Sequence, residues 1–200
     1  VTSQTRSGAV ATTPLATHSA ILAVAERGGA SAEGLRACYV QNVALCRLQA
    51  AYDVAAALRD EALMRAVGEE ALRTLDVALA TRAFRQLGDA ALVLALSRLE
   101  GIEDAKTLGG HAALLLGEHD RAQELFLASL RPMAALEMRR DLLHWEHALQ
   151  LARTLAPGQV SLISCEFAQQ LEFRGEYDQA HAMYKAALSR RRGGGDASCE

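Results

Sequence analysis

Gly117-Glu118-His119-Asp120-Arg121-Ala122 and Gly175-Glu176-Tyr177-Asp178-Gln179-Ala180 are two versions of one phrase, 58 residues apart, and Gly88 lies half that distance, 29 residues, before the first. Glycine in this setting closes a helix and lets the chain turn sharply, because it takes a left-handed backbone at no steric cost. The alanine at the sixth position lets the next helix lie close to the one just ended. A helix pair cannot bury its own apolar stripe, so such units must stack on one another. The phrase predicts an all-α fold: a degenerate tetratricopeptide-like α-solenoid of stacked antiparallel helix pairs. The repeat is irregular. Val93 stands at the sixth position after Gly88, and a further 29-residue step from Gly117 lands on Glu146, leaving Ala148 out of phase by three.

Composition supports helix throughout. Half of the 200 residues are apolar, yet only nine are Phe, Tyr or Trp and only three are Pro, so alanine and leucine carry the core. These are strong helix formers, whereas a sheet protein would draw on β-branched and aromatic residues. The formal charge of −3 argues against nucleic acid as a partner. No apolar run reaches about 18 residues without a polar break, which argues against direct membrane insertion. Cys38, Cys46, Cys165 and Cys199 show no paired spacing and nothing at the start reads as a signal peptide, so an intracellular setting is expected.

Along the chain, residues 1–14 are rich in Ser and Thr and read as a flexible N-terminal segment. The solenoid is expected over 15–190 and a flexible Gly/Arg-containing tail or inter-helix loop over 191–200. A first helix over 15–26 should end at Gly28-Gly29, with a loop at Ser31-Ala32-Glu33-Gly34. The stretch 35–67 must break near Arg59 to Glu61. Further helices are predicted over 69–87, 89–99, 103–116, 119–130, 133–143 and 146–155. Pro132 and Pro157-Gly158 interrupt the pattern. Val160, Ile163, Phe167 and Leu171, then Tyr177, Ala180, Tyr184 and Leu188, place one apolar stripe on each of the last two helices. Arg190, Arg191 and Arg192 suit the negative end of a helix dipole and read as a solvated terminus.

Chemistry is sparse. His144 and His147 share a helical face, with His111, His119 and Cys165 elsewhere. A structural zinc site needs four converging ligands and usually a close thiolate pair, which the spacing lacks. Cys165 lies inside an apolar stripe and reads as a small buried hydrophobe rather than a nucleophile. The carboxylate pairs Glu69-Glu70 and Glu103-Asp104 are placed at helix beginnings, where acidic groups are favoured without catalysis. Gly109-Gly110 lacks the context of a phosphate loop. No catalytic, cofactor-binding or metal residues are therefore assigned, no cofactor is expected, and the chain reads as a non-catalytic interaction scaffold. Arg139 and Arg140 could clamp an acidic peptide end, but the asparagines such a clamp needs are missing, since Asn42 is the sole Asn. They read as solvated, with a partner-facing role as the alternative.

From about Phe84 onward the wording becomes specific. Gly101-Ile102-Glu103-Asp104, Gly110-His111 and Ala134-Ala135-Leu136-Glu137-Met138-Arg139-Arg140-Asp141-Leu142 are followed by Trp145, Ala148-Leu149-Gln150-Leu151-Ala152, Leu155-Ala156-Pro157 and Gln170-Leu171-Glu172-Phe173. This stretch resembles the C-terminal helical repeat region of the WD repeat-containing protein 19 family, a subunit of intraflagellar transport complex A. The resemblance implies a stretch of that family's solenoid, consistent with a chain that begins at Val1 and has no propeller-like strands. It further implies retrograde ciliary transport, delivery of ciliary membrane proteins, and partners among the other complex A subunits and ciliary cargo adaptors. The implied location is the cilium or flagellum, the ciliary base and the cytoplasm. Within it, Ala134, Leu136, Leu142, Trp145, Ala148 and Leu151 read as packing determinants. A general tetratricopeptide-like peptide-binding adaptor and a coat-type vesicle trafficking scaffold are the alternatives.

Overall fold

The computed structural model describes residues 2–4, 10–12 and 32–193. The helix predicted over 15–26, its Gly28-Gly29 stop, Cys199 and the tail beyond Gly193 lie outside the described residues. The chain divides into two compact units, Val1–Gly101 and Ile102–Glu200. Within each unit the described helices pack consecutively, the pattern of an all-α solenoid.

The first unit carries a short antiparallel strand pair, β1 (Thr2–Gln4) and β2 (Val10–Thr12), inside the segment that the sequence presents as flexible. Its Thr and Val residues are β-formers. The helices of this unit are α1 (Ala32–Ala44), α2 (Leu48–Leu58), α3 (Glu61–Arg73), α4 (Val77–Gln86) and α5 (Ala90–Ser97). α1 packs on α2, α3 on α4, and α5 follows on α4. Two expectations are corrected here. Helix begins at Ala32, inside the expected loop, with Glu33 in its first turn where the helix dipole favours an acid. The single helix expected over 69–87 is two helices, because Leu75 takes a left-handed conformation (φ 63°) and the Asp76 side chain accepts from Leu79 N–H to start α4.

The second unit contains α6 (Ala105–Leu115), α7 (His119–Leu127), α8 (Met133–Asp141), α9 (Trp145–Leu155), a 3-10 turn at Pro157–Gln159, α10 (Val160–Arg174) and α11 (Tyr177–Gly193). α6/α7, α8/α9 and α10/α11 form the hairpins. α11 runs as helix through Arg191, Arg192 and Gly193, past the point at which the sequence places the end of the solenoid. Ala122, Phe126, Leu136, Trp145, Ala148, Leu151 and Ile163 share one core. Of the expected packing determinants, Leu136, Trp145, Ala148 and Leu151 are buried there, while Ala134 and Leu142 are half-buried at its margin.

One turn motif joins every hairpin. The first helix ends with a residue in the left-handed region: Cys46, Leu75, Gly117, Leu143 or Gly175, with φ between 53° and 81°. Its N–H bonds three residues back and the next N–H bonds five residues back, as in Leu143 to Arg140 and His144 to Arg139, the paired bonds of a Schellman cap. The residue after the left-handed one then caps the next helix, its carbonyl accepting from a residue four further on. That last residue is Ala51, Ala80, Ala122, Ala148 or Ala180, and all five are buried. Ala148 is therefore in phase. Leucine at 143 hides the turn, and the turns fall 29, 26 and 32 residues apart within the units rather than at a fixed step.

The same register explains two glycines. Seven residues before and nine after the left-handed position stand Tyr39 and Ala55, Gly68 and Phe84, Gly110 and Phe126, Leu136 and Ala152, Ala168 and Tyr184. In each hairpin a large side chain on one helix is matched by a small one on the other. For two hairpins the contact is direct. A Cβ on Gly68 would sit 2.9 Å from the Phe84 ring, and one on Gly110 would sit 2.6 Å from the Phe126 ring. Gly110 is thus a packing residue inside α6, where interdigitation at crystal-like density leaves no room for a methyl.

Candidate functional site

The richest polar cluster lies in the second unit, where the beginnings of α7 and α9 meet the end of α8. Gly117 and Leu143 are left-handed, so the chain reverses tightly at both places. His119 and Asp120 are thereby set on the first turn of α7, and His144 at the cap of α9 with His147 on its first turn. They border an open cleft of about 530 Å3 together with Glu118, Arg121 and Arg139.

Arg139 organises the cluster and is only 2% exposed. Its Nε donates to Gln123 Oε1 at 2.7 Å and its Nη2 to Asp120 Oδ1 at 2.6 Å, both on α7. Its Nη1 lies 3.1 Å from His144 Nδ1. The expectation of a solvated Arg139 is overturned. The residue stands four before the left-handed Leu143, and the matching positions Asn42, Ala71, Ala113 and Leu171 are all buried. A buried guanidinium needs its N–H groups satisfied, and the fork of Arg139 reaches three partners. Asp120 is held below the usual carboxylate value, first by the Arg139 hydrogen bond and then by its charge.

Arg140 is not free either. Its Nε and Nη2 donate to the two oxygens of Glu166 at 3.2 and 2.7 Å, a bidentate pair joining α8 to α10. Trp145 Nε1 donates to Gln170, and the Trp145 ring stacks near Phe167 with centroids 6.0 Å apart, joining α9 to α10. Within the Glu-Met-Arg-Arg-Asp run that makes the sequence distinctive, the two arginines are thus helix-to-helix ties.

The other residues singled out from sequence are dispersed. His111 sits edge-on to Phe126 at 5.0 Å, and burial lowers its basicity, with the Arg131 charge adding to the effect. His119 and His144 have ring centroids 5.7 Å apart, and His144 and His147 6.2 Å. Among the described residues no group of three or more His, Cys, Asp or Glu has metal-holding geometry. Cys165 is half-buried on α10 rather than buried. Glu69-Glu70 lies within α3 rather than at its start, with Glu70 bonded to Arg73 at 3.2 Å. Asp104 does begin a helix. It accepts from Lys106 and Thr107 N–H and from the Thr107 hydroxyl, and also from Leu130 N–H at the far end of the hairpin. No helix among the described residues is long and apolar enough to cross a membrane.

The exposed surface also carries large apolar side chains, among them Phe173 (93% exposed), Leu130 (85%) and Tyr177 (70%). Scattered apolar exposure is normal, so these residues become informative only together with relatedness.

No protein-family model matches the chain. It is 41% identical to human WD repeat-containing protein 19 over 189 residues, 94% of this chain and 14% of that protein. The mouse protein of the same name is 40% identical over the same shares. WD repeat-containing protein dyf-2 of Caenorhabditis elegans is 43% identical over 118 residues, 59% of this chain and 8% of that protein. The chain thus spans about one seventh of the length of the mammalian relatives.

Proposed function

This chain belongs to the WD repeat-containing protein 19 family, and from that membership we propose that it is a non-catalytic scaffold segment of intraflagellar transport complex A. It acts through retrograde ciliary transport and the delivery of membrane proteins to the cilium. Its partners are the other subunits of the complex and ciliary cargo adaptors, and its place is the cilium, the ciliary base and the adjoining cytoplasm. The observation that carries this reading is identity of about two residues in five across 94% of the chain.

The disposition of the polar residues supports it. Arg139, Asp120, His144, Arg140 and Glu166, the groups best suited to chemistry, hold helices to one another. What such stacked pairs offer a partner is a surface of fixed shape, with binding energy concentrated in a few aromatic, aliphatic or arginine anchors. Phe173, Tyr177 and Leu130 are exposed anchors of that type. The test is affinity purification of the full-length tagged protein from ciliated cells. Recovery of the complex A subunits, with the tag in cilia, is expected. Recovery of a vesicle coat, or of free peptide-bearing clients without those subunits, would replace this reading with one of its alternatives.

A further inference from the structure

The cleft between α7 and α9 contains an arrangement that ordinary solenoid packing does not require. Arginine keeps its proton throughout the accessible pH range, so Arg139 Nη1 must donate in its contact with His144. His144 Nδ1 must therefore accept, which requires a neutral imidazole carrying its proton on Nε2. A second proton would arrive at Nδ1, facing a guanidinium N–H at hydrogen-bond distance. Two donors and two positive charges would then oppose each other beside a nearly inaccessible arginine.

We propose that Arg139 and His144, with His119 and His147 beside them, form a proton-sensitive joint that ties α7 to the α8/α9 hairpin and loosens in mild acid. The charged and titratable groups facing His144 are Glu118 at the cap of α7, His119, Asp120 and Arg121 from α7, Arg139 from α8 and His147 from α9. Arg140 is engaged by Glu166 on the α10 side. The His119 and His147 rings stand within 5.7 and 6.2 Å of the His144 ring, and His119 Nδ1 is buried without a partner. Asp120 works to retain a proton on His144, but its side chain is 92% exposed, where solvent screens it, and the other carboxylate, Glu118, is paired with Arg121 at 2.8 Å. Burial first, then Arg139, His119 and His147, lower the proton affinity of His144 below the ordinary histidine value of 6.5.

The sign of the effect follows from linkage. A histidine whose folded-state pKa is depressed binds a proton more readily when unfolded. Its contribution to stability is complete above the ordinary value and declines as pH falls from there towards the lowered one. The corresponding turns of the first unit have no such device. Ala71 occupies the Arg139 position and Asp76 the His144 position, and the cleft beside them is lined by Cys46, Arg47, Gln49, Asp53 and Thr74. The joint is therefore local to α7–α9.

The experiment compares the whole chain with His144→Asn, whose amide oxygen can accept from Arg139 but cannot titrate. Thermal unfolding is followed from about pH 7.5 to about pH 5.5. The native protein should lose roughly 3–5 °C more than the variant for each pH unit by which His144 is depressed within that window. Parallel melting curves would overturn the proposal. Nitrogen shifts of the His144 ring in the native chain give a test independent of the variant's folding. A neutral ring protonated at Nε2 and titrating below free histidine is expected, and an ordinary or raised titration would overturn the joint.

Discussion

Replacing Gly110 by alanine should destabilise the protein, although Gly→Ala within a helix ordinarily helps. The new methyl would lie 2.6 Å, 2.7 Å and 2.9 Å from Cε1, Cδ1 and Cζ of Phe126. Comfortable carbon contacts are about 3.5–4.0 Å, so the ring must retreat by most of an ångström. It has little room, being 1% exposed with His111 edge-on against it. Overpacking of this kind costs about 1–3 kcal/mol, and the better helix propensity of alanine returns about 1 kcal/mol. A 2.6 Å approach to a confined ring puts the cost in the upper half of that range, about 2–3 kcal/mol, so a net loss of about 1–2 kcal/mol should lower the melting temperature by about 2–8 °C. Gly68→Ala, whose nearest ring atom is 2.9 Å away, should cost less. Chemical and thermal unfolding of Gly110→Ala, Phe126→Leu and the double variant measure this directly. The smaller leucine should make room for the methyl, so the double variant should be more stable than the two single losses predict. A Gly110→Ala protein as stable as the parent, or strict additivity in the double variant, would refute the paired large-and-small register.

Leu143→Gly should stabilise the chain by up to about 1 kcal/mol, because leucine at φ 58° carries backbone strain that glycine lacks; a lower midpoint in denaturant would show that the leucine side chain outweighs the strain. Ala180→Leu should cost about 1–3 kcal/mol by overpacking the α10/α11 crossing, where Ala180 is buried, and an unchanged midpoint would contradict its place in the register. Asp104 is held below the usual carboxylate value chiefly by the Thr107 hydroxyl, and Asp120 chiefly by Arg139. Groups with depressed folded-state values stabilise above the ordinary carboxylate pKa and lose that contribution as pH falls through the folded one. Stability should therefore decline below about pH 4, and Asp104→Asn should flatten part of that decline in acid melts.

Much of the second unit was legible because its turns are written in glycine and proline. Gly117, Pro132, Pro157-Gly158 and Gly175 stand at or beside observed helix boundaries, and the predicted helices from 103 to 155 begin and end within about three residues of the observed ones. In the first unit the break expected near Arg59 is present, but Cys46 and Leu75 turn the chain left-handed without a glycine to announce it. Tertiary packing sustains these conformations, and local propensity does not reveal them. The burial of Arg139 is hidden for the same reason. With leucine rather than glycine at the turn, no local signal marks the position four residues before Leu143 as buried. Once the turn is placed, an arginine among Asn42, Ala71, Ala113 and Leu171 stands out as the residue whose bonds need an account. The bidentate Arg140–Glu166 pair, 26 residues apart, has no local sequence signal at all.

The scaffold role is tested most directly by side-chain footprinting of the full-length protein, alone and in the purified transport complex. Covalent labelling by hydroxyl radicals suits this chain because it reads exposed aromatic and aliphatic groups, whereas Lys106 and Lys185 are its only lysines for conventional cross-linking. The account predicts that one or more of Phe173, Tyr177 and Leu130 lose reactivity on assembly, while the buried Phe84 and Phe126 remain unlabelled in both states. Equal labelling of every exposed residue in the free and assembled protein would contradict a scaffold role for this chain.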